Sequence, residues 1–363
     1  MKIASIYPSE ESEQAISNYT KQLIKNQKNQ KINVKPIKYL AGKPFSLFKK
    51  FNEFKNYDVI HIQHEYNLLG WYGLPFFVFY FYMFFSKTKL ITTMHTVLSR
   101  KEKFKSGKLK TFLRKILYWA QNRLIGRVSD KVVVHANFFK KILVKEYNVP
   151  PKKIIMFPQG VQEDIKLISQ ARAKKELKLK GPVYLVIGSF IPDHGADIAV
   201  RQSKKIGKTV LIVANSKALN DRNDSRIRDW LELNKNIVKK DKLEKYVRFD
   251  IRELPYPLWW KYFAASDIVL LPYKGNIGSG IFADCIATKK PMIGSNIKYF
   301  NEFAKDWGFI KIANTEGDFG KVVKEVMKKK NYNKMISEFK RYLKQFGLTP
   351  LAKKYAKLYN SLK

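Results

Sequence analysis

The stretch SDIVLLPYKGNIGSGIFAD, residues 266–284, decides the fold, because it joins a buried strand, a glycine-rich turn and the start of a helix. The strand, Asp267–Pro272, is apolar on both faces, as in parallel sheets that helices cover on each side. Peptide N–H groups at the helix start, aided by the helix dipole, favour a pyrophosphate cradle there. We assign this cradle to Gly278, Ser279, Gly280 and Ile281. An ordinary β-to-α turn is the alternative interpretation of the same glycine spacing.

Ten other short, mostly apolar runs resemble this strand, and helix-length segments follow them along the chain. They lie at residues 2–7, 58–63, 89–95, 131–135, 153–158, 183–189, 209–214, 246–250, 291–294 and 308–312. Strands that alternate with helices predict an α/β chain with parallel sheets. Because ligands of such sheets bind outside the carboxyl ends of the strands, we expect two doubly wound, Rossmann-like domains that face each other across a ligand-binding cleft.

A charged segment that ends in Gly181 and Pro182 interrupts this alternation and predicts a linker at residues 177–182. We therefore expect an N-terminal domain at residues 1–178 and a C-terminal domain at residues 181–345. Thr349 followed by proline is typical of a helix start, and the apolar residues after it fall on one helical face. Residues 349–363 are thus predicted to form an amphipathic helix that packs back on the N-terminal domain.

The composition is strongly basic, with 70 Lys plus Arg against 30 Asp plus Glu in 363 residues, a formal net charge of +40. Such a charge attracts nucleic acid, anionic membranes or phosphorylated small molecules, although a lysine-rich composition spread along the chain explains it equally well. Nucleic acid ranks last, because no nucleic-acid-binding module is recognisable. Cys285 is the only cysteine, which excludes an internal disulfide and a cysteine-rich metal site. The first residues are typical of a strand, not of a signal peptide, and favour a cytoplasmic protein.

One aromatic segment departs from the pattern of α/β domains. Residues 66–85 contain almost no polar side chain, and residues 76–85 are wholly apolar. A transmembrane helix needs about 20 such residues, but Gly70, Gly73 and Pro75, and the strands on either side, argue against one. A buried helix and a helix that dips into the membrane interface are the two alternatives.

A second segment, residues 108–127, is predicted to form a basic amphipathic helix. Its apolar face comprises Leu109, Phe112, Leu113, Ile116, Leu117, Ala120 and Leu124. Either this face packs into the core and the basic face is solvated, or the helix docks on an anionic membrane surface.

The motifs of the C-terminal half resemble, in order and spacing, the donor-binding half of retaining glycosyltransferases of family 4, which have the GT-B fold. The matching runs are residues 246–249, the pair Trp259 and Trp260, and residues 264–273, 278–280 and 287–294. The N-terminal half resembles the acceptor half of that family at residues 58–66, 93–97, 129–135, 147–155 and 158–161. The resemblance covers nearly the whole chain. It implies an enzyme that moves a sugar from a nucleotide-sugar donor to a glycan or a lipid-linked acceptor.

The resemblance also implies roles for residues of the donor site. In the family the donor pyrophosphate lies against the glycine turn, and the second of two acidic residues binds the ribose; Asp284 has that position. Asn276 stands where the first acidic residue contacts the sugar, so it can hydrogen-bond a hydroxyl but supplies no negative charge. Ile191 and His194 stand where an Arg and a Lys usually grip the diphosphate, and only a protonated His194 would restore a cation.

On the acceptor side, the resemblance makes His95 the candidate for a polar role beside the reacting sugar, with a structural hydrogen bond as the alternative. His64 and Glu65 end a neighbouring strand and either meet an acceptor hydroxyl or form a solvated loop pair. His61 and His135 lie inside apolar strands and are expected in the core. No metal or cofactor is expected, because the helix dipole and basic side chains normally replace a metal in this fold.

The sequence therefore predicts a cytoplasmic retaining glycosyltransferase, which lies on the inner face of the membrane if the basic helix docks there. The alternative is a catalytically impaired GT-B scaffold that binds a partner protein or an anionic membrane surface. Ile191, His194 and Asn276 motivate this alternative, because they depart from the family's pattern.

Overall fold

Two compact units make up the described chain. The computed structural model describes residues 1–11, 15–102, 104, 107–188, 190–215, 225–275 and 279–362. The first unit comprises Met1–Gly160 together with Gln345–Lys363, and the second comprises Val161–Lys344. Each unit contains a six-stranded sheet in which every pairing is parallel. The α/β class with two doubly wound sheets is therefore confirmed.

The sheet of the first unit has the order β2-β1-β3-β4-β5-β6. Its strands are β1 (Ile3–Pro8), β2 (Val34–Tyr39), β3 (Val59–His64), β4 (Lys89–Met94), β5 (Lys131–Val134) and β6 (Ile154–Met156). Its helices are α1 (Ala15–Asn29), α2 (Phe45–Phe48), α3 (Phe51–Phe54), α4 (Pro75–Phe85), α5 (Lys108–Val128), α6 (Asn137–Tyr147) and α15 (Leu348–Asn360). Every residue of β1 and β3 is buried, as expected for strands covered on both faces.

The sheet of the second unit has the order β12-β11-β10-β7-β8-β9. Its strands are β7 (Val183–Gly188), β8 (Thr209–Asn215), β9 (Val247–Arg252), β10 (Ile268–Leu271), β11 (Met292–Ser295) and β12 (Ile310–Ala313). The helices that follow residue 160 are α7 (Gln170–Glu176), α8 (Ala196–Ile206), α9 (Arg226–Lys240), α10 (Tyr256–Ala265), α11 (Gly280–Ala287), α12 (Lys298–Asp306), α13 (Phe319–Val326) and α14 (Lys329–Phe346).

One strand, β2, has no counterpart among the runs predicted from the sequence. Its segment VKPIKY contains Pro36 and two lysines, and only Val34, Ile37 and Tyr39 are buried. A proline cannot donate to a ladder, so it is tolerated where one side of the strand has no partner. Because β2 lies at the edge of the sheet, its sequence lacks the continuous apolar character that marks the inner strands.

The second unit begins earlier than the segment at residues 177–182 led us to expect. Helix α7 precedes that segment, yet Lys174 Nζ donates to Asp267 Oδ2 at 2.8 Å and Gln170 Nε2 donates to Asp267 Oδ1 at 3.1 Å. Asp267 immediately precedes β10, so these bonds attach α7 to the second sheet. The division falls after Gly160, not near residue 178.

Helix α15 returns to the first unit and packs against α1. Leu351, Tyr355 and Leu358 of α15 share a buried cluster with Tyr19 and Leu23 of α1. These apolar residues repeat with the period of a helix, so one stripe of α15 enters the core of the first unit.

Helices α4 and α5 pack against each other and expose large apolar side chains. On α4, Val78, Phe81, Phe84 and Phe85 are exposed by 47–69%, and Phe76, Phe79 and Tyr80 are buried. On α5, Leu109, Phe112, Leu113 and Ile116 are exposed by 46–72%. We call these eight exposed side chains the α4–α5 face.

The buried side of α5 is not the apolar face expected from the sequence. The helix buries Tyr118, Gln121, Asn122, Ile125 and Gly126, whereas its most apolar stripe points outward. Of the two alternatives for this helix, packing of the apolar face into the core is therefore wrong, because none of its seven residues is buried, and docking on a membrane surface stays a prediction. Among the described residues, no helix is both long and apolar enough to span a membrane.

Candidate functional site

The strand order of the second sheet defines where its ligand crevice lies. From β7 the chain proceeds to β8 and β9 on one side, and from β10 it proceeds to β11 and β12 on the other. Strands β7 and β10 are neighbours, so the loops after them leave the same edge of the sheet in opposite directions. Ligands of doubly wound sheets bind at such a switch point. The turn singled out by the sequence, after β10, is one of these two loops.

The two loops are in direct contact at this edge. Gly195 has φ +65°, and a Cβ at this position would overlap the carbonyl oxygen of Pro272. The Lys274 N–H donates to the Asp193 carbonyl at 2.9 Å. The His194 ring stacks on the Tyr273 ring, with centroids 4.5 Å apart and an angle of 6° between the planes. His194 is therefore held beside the turn that follows β10.

The start of α11 is fixed by a side-chain cap. Ser279 Oγ accepts from the Phe282 N–H at 3.1 Å, and the Tyr273 hydroxyl lies 2.9 Å from the same oxygen. Ser279 is buried, whereas a Cβ on Gly280 would meet no other atom. The backbone at Gly280 is thus open to close approach by a ligand. The Ile281 side chain lies against Gly188 at the end of β7. Asn276 and Gly278, which were also assigned to the site, lie outside the described residues.

Asp284 lies one helical turn into α11 and has a hydrogen-bond partner on α10. Trp259 Nε1 donates to Asp284 Oδ2 at 3.0 Å. Burial raises the pKa of this carboxyl to about 7, and the Trp259 hydrogen bond opposes that rise. The Asp284 carboxyl therefore changes between its protonated and its ionised form near pH 7. Once it is ionised, its oxygens can accept hydrogen bonds from the hydroxyls of a bound ribose.

Lys274 is a cation of this site that the sequence prediction did not include. It follows Tyr273 in the turn, and its Nζ lies 2.9 Å from Asp197 Oδ2 in the first turn of α8. The lysine also lies over the Trp230 ring, 5.4 Å from its centroid. The ion pair spans the same two loops as the His194–Tyr273 stack. The residue type and its place in the turn could have identified Lys274, but only the fold reveals its partner Asp197.

In the first unit, His95 lies at the carboxyl end of β4 and pairs with Gln63 of β3. His95 Nε2 donates to Gln63 Oε1 at 2.9 Å, which leaves the lone pair on Nδ1. Burial, and secondarily the neighbouring His135, lower the pKa of His95 well below its usual value of 6.5. The His135 ring is 5.0 Å away. His95 is therefore a neutral imidazole that can accept a hydrogen bond or a proton at Nδ1.

His64 and His95 lie in different surroundings, because successive side chains of β3 point to opposite faces of the sheet. His61 and Gln63 point toward Thr93, His95 and Tyr359, whereas His64 is fully buried on the α4 side, with its ring 4.4 Å from the Phe76 ring. Burial lowers the pKa of His64 to about 3. The expected contact of His64 with an acceptor hydroxyl is inconsistent with this packing.

Glu65 follows His64 and is half-buried, and its Oε1 accepts from the Tyr66 N–H at 3.0 Å. His61 and His135 are both buried, as their positions in apolar strands suggested. His61 lies between the Tyr359 hydroxyl, at 2.9 Å, and Thr93 Oγ1, at 2.7 Å. These bonds join β3, β4 and α15 in one polar network behind His95.

Known proteins match both the sequence and the fold. The family model named Glycosyltransferase Family 4 matches residues 15–165, which cover most of the first unit except β1 and its C-terminal helix. This part of the chain is therefore similar to glycosyltransferase family 4. No curated protein sequence matches the chain.

Solved structures extend the likeness to the full length of the chain. HepE from Anabaena, solved in complex with UDP, is 13% identical over 99% of this chain and 100% of its own, with a TM-score of 0.73. Sucrose-phosphate synthase from Thermosynechococcus elongatus is 15% identical over 100% and 99%, with a TM-score of 0.75. A glycosyltransferase from Rickettsia africae is 15% identical over 99% and 98%, with a TM-score of 0.69. The chain therefore has the GT-B fold, with two Rossmann-like domains.

The chain also contains polar side chains that could be mistaken for a metal centre. His61 and His64 lie in β3, and His95 and His135 follow β4 and β5, yet within the described ranges no group of three His, Cys, Asp or Glu side chains could hold a metal ion. Gln63 was missed by the sequence analysis, although strict alternation along β3 places it on the face of His61 and Thr93. That alternation is the signal that could have identified it.

Proposed function

We propose that this chain is a retaining glycosyltransferase of family 4 that uses a nucleotide-sugar donor bound by its second unit. The observation that supports the donor site most directly is the meeting of the β7 and β10 loops beside the capped N-terminus of α11. Such a terminus offers peptide N–H groups and partial positive charge to a diphosphate without a metal ion. Gly278, Ser279, Gly280 and Ile281 form the cradle in this proposal, and Asp284 accepts from the ribose.

Stabilisation of the leaving nucleoside diphosphate is the main catalytic task in this proposal. Negative charge develops on the diphosphate as the bond to the sugar breaks, and fixed dipoles that face this charge lower the barrier. Lys274 and His194 lie in the same loops and supply the remaining polar contacts. Asn276 hydrogen-bonds a sugar hydroxyl. Retention follows from the family resemblance, in which the acceptor attacks from the face that the diphosphate leaves.

The donor class is supported by two complexes of a protein with the same fold. HepE has been solved with UDP and with UDP-glucose. We therefore expect a uridine diphosphate sugar to be the first donor to test. The expected result is saturable, magnesium-independent binding of UDP in calorimetry, with GDP and ADP as comparisons. Transfer is then measured with labelled nucleotide sugars and a membrane extract, and the anomeric configuration of the product is read by NMR. Inversion would contradict retention, and the absence of both binding and transfer would contradict the whole proposal.

His95 has the proposed polar role on the acceptor side. Its replacement by alanine is expected to lower the turnover number by about 10²-fold or more, because it removes a neutral imidazole that Gln63 holds in one tautomer. UDP affinity should change less than about twofold, since no donor contact is assigned to His95. Calorimetry and initial rates on the same preparation check both statements. An unchanged turnover number would leave His95 with a structural role only.

The acceptor in this proposal is a glycan or a lipid-linked sugar at an anionic membrane. The α4–α5 face supports a peripheral association, because exposed apolar side chains fringed by lysines and arginines suit the interface of an anionic bilayer. We accordingly place the enzyme in the cytoplasm, on the inner face of the membrane. Sedimentation of the protein with vesicles that contain or lack phosphatidylglycerol tests this association.

A catalytically impaired scaffold is the second candidate. The observation in its favour is that Ile191 is apolar and that Lys274 is neutralised by Asp197, so the described parts of the two loops contain few free cations. A scaffold would bind vesicles or a partner protein but would give no heat with UDP or GDP. Micromolar nucleotide binding decides for the enzyme.

A further inference from the structure

An open groove runs beside the α4–α5 face. Its volume is about 940 Å³, within the ~300–1,000 Å³ typical of ligand sites. One wall is formed by Phe77, Val78 and Phe81 of α4, and the other by Trp119, Ala120 and Leu124 of α5. The groove has no acidic side chain in its lining. Its walls therefore match a hydrocarbon chain and not a polar ligand.

Two arginines on α5 border this groove. Arg123 and Arg127 are four residues apart, so they project from the same side of the helix. The Arg123 guanidinium lies over the Trp119 ring at 5.2 Å, and the Arg127 guanidinium lies over the Phe84 ring at 5.4 Å. Stacking holds each guanidinium by its face and leaves its N–H edges to bind an anion. A phosphate is the anion whose oxygens match these edges best.

A third cation at the groove, Lys153, is already engaged. Its Nζ donates to the carbonyls of Gly126, Arg127 and Ser129 at 2.9–3.1 Å, and so satisfies the last carbonyls of α5. Burial lowers the pKa of Lys153. Lys153 therefore stabilises the end of α5, and the positive charge offered to a ligand comes from the two arginines.

We propose that the groove binds one hydrocarbon chain of an anionic phospholipid, whose phosphate pairs with Arg123 and Arg127. The proposal rests on the membrane association proposed above and adds a site for a single lipid molecule. The outer apolar residues, such as Leu109, enter the bilayer surface, while one chain leaves the bilayer and lies between α4 and α5. Charge complementarity selects an anionic lipid, because neither α4 nor α5 contains an acidic residue.

The test separates single-lipid binding from docking on a bilayer. The full-length protein is titrated with short-chain phosphatidylglycerol below its micelle concentration, and with the matching phosphatidylcholine. We expect saturable binding of one phosphatidylglycerol per chain and at least tenfold weaker binding of phosphatidylcholine. Quenching of tryptophan fluorescence by a bromine-labelled chain should be strong, and Trp119→Phe should remove most of it. Trp119 lines the groove, which is why its emission reports on occupancy.

Two substitutions, one inside the groove and one outside it, serve as controls for each other. Ala120→Phe fills the groove and should weaken short-chain phosphatidylglycerol binding at least tenfold, while vesicle binding changes less than twofold. Leu109→Ser lies outside the groove and should do the reverse. If Ala120→Phe fails to fold, Val78→Trp fills the same groove from α4, where the side chain is already 49% exposed.

Three outcomes would overturn the proposal. These are no saturable binding of the monomeric lipid, equal binding of the neutral lipid, or the same affinity after the groove is filled. If vesicles still bind in any of these cases, the protein docks on membranes without a lipid site. None of these outcomes depends on UDP, so a failure of the lipid proposal can be distinguished from a failure of the proposed nucleotide binding and sugar transfer.

Discussion

Replacing Gly195 by alanine is expected to destabilise the second unit by about 3 kcal/mol or more. Two costs combine at this residue. Its φ of +65° disfavours any side chain, and the added Cβ would overlap the Pro272 carbonyl oxygen, which is backbone and cannot rotate aside. The loops after β7 and β10 must therefore separate. We expect a fall in melting temperature of about 6–12 °C, and at least tenfold weaker UDP binding.

Gly207→Ala is the matched control for this prediction. Gly207 follows α8, the helix that Gly195 begins, and it has a similar φ of +77°. A Cβ there would meet only the Lys204 carbonyl oxygen, at 4.0 Å. The stability of the control should fall only by the cost of placing a side chain in the left-handed conformation, about 1 kcal/mol, and its UDP affinity should not change. Equal losses in the two variants would show that the contact with Pro272 is unimportant.

Asp284→Asn is expected to stabilise the protein at pH 8 by an amount on the order of 2–4 kcal/mol, and to leave stability unchanged near pH 4. Burial raises the folded-state pKa of Asp284 from 3.8 to about 7. Below pH 3.8 the carboxyl is protonated in both the folded and the unfolded chain. Between pH 3.8 and about 7 the folded chain binds the extra proton, so stability falls as pH rises through this window. Asparagine does not ionise and avoids this loss.

The same substitution should weaken UDP binding about tenfold or more at pH 8, because a hydrogen bond to a charged acceptor is lost. In the unmodified protein the carboxylate forms as pH rises through about 7, and UDP affinity should rise with it. Asp284→Asn should lack this rise. UDP itself titrates in both proteins, so the variant corrects for that effect. Thermal melts from about pH 4 to pH 8 and calorimetry from about pH 6 to pH 8 provide the measurements. A variant with unchanged stability and unchanged UDP affinity at pH 8 would remove Asp284 from the donor site.

The inner strands of both sheets could be predicted from the sequence, because burial on both faces leaves runs such as IVLL of β10 and VYLVIG of β7. The edge strand β2 could not, since Pro36 and its lysines face outward. The start of α11 was also predictable, because Ser279 is a typical N-cap residue and caps the helix through Phe282.

Contacts between segments that are distant in the sequence could not be predicted from local sequence patterns. Trp259 and Asp284 are 25 positions apart in the sequence, so no local pattern predicts the hydrogen bond that joins them. Hydrophobic periodicity identified the apolar stripe of α5 but did not show that this stripe faces outward. The buried side of the helix contains amide side chains in place of apolar ones: Gln121 donates to the Gly73 carbonyl, and Asn122 accepts from Tyr66. A helix whose buried amides each form a hydrogen bond with a neighbouring segment can turn its leucines and phenylalanines outward.

The return of α15 to the first unit sets an order for folding during synthesis. Tyr19 and Leu23 of α1 emerge from the ribosome long before their partners Leu351 and Tyr355. The whole of Val161–Lys344 is made in between and can close its own sheet first. The apolar stripe of α1 therefore stays uncovered until α15, encoded more than 300 codons downstream, has been synthesised. Chaperones that hold nascent chains would find their binding site on α1.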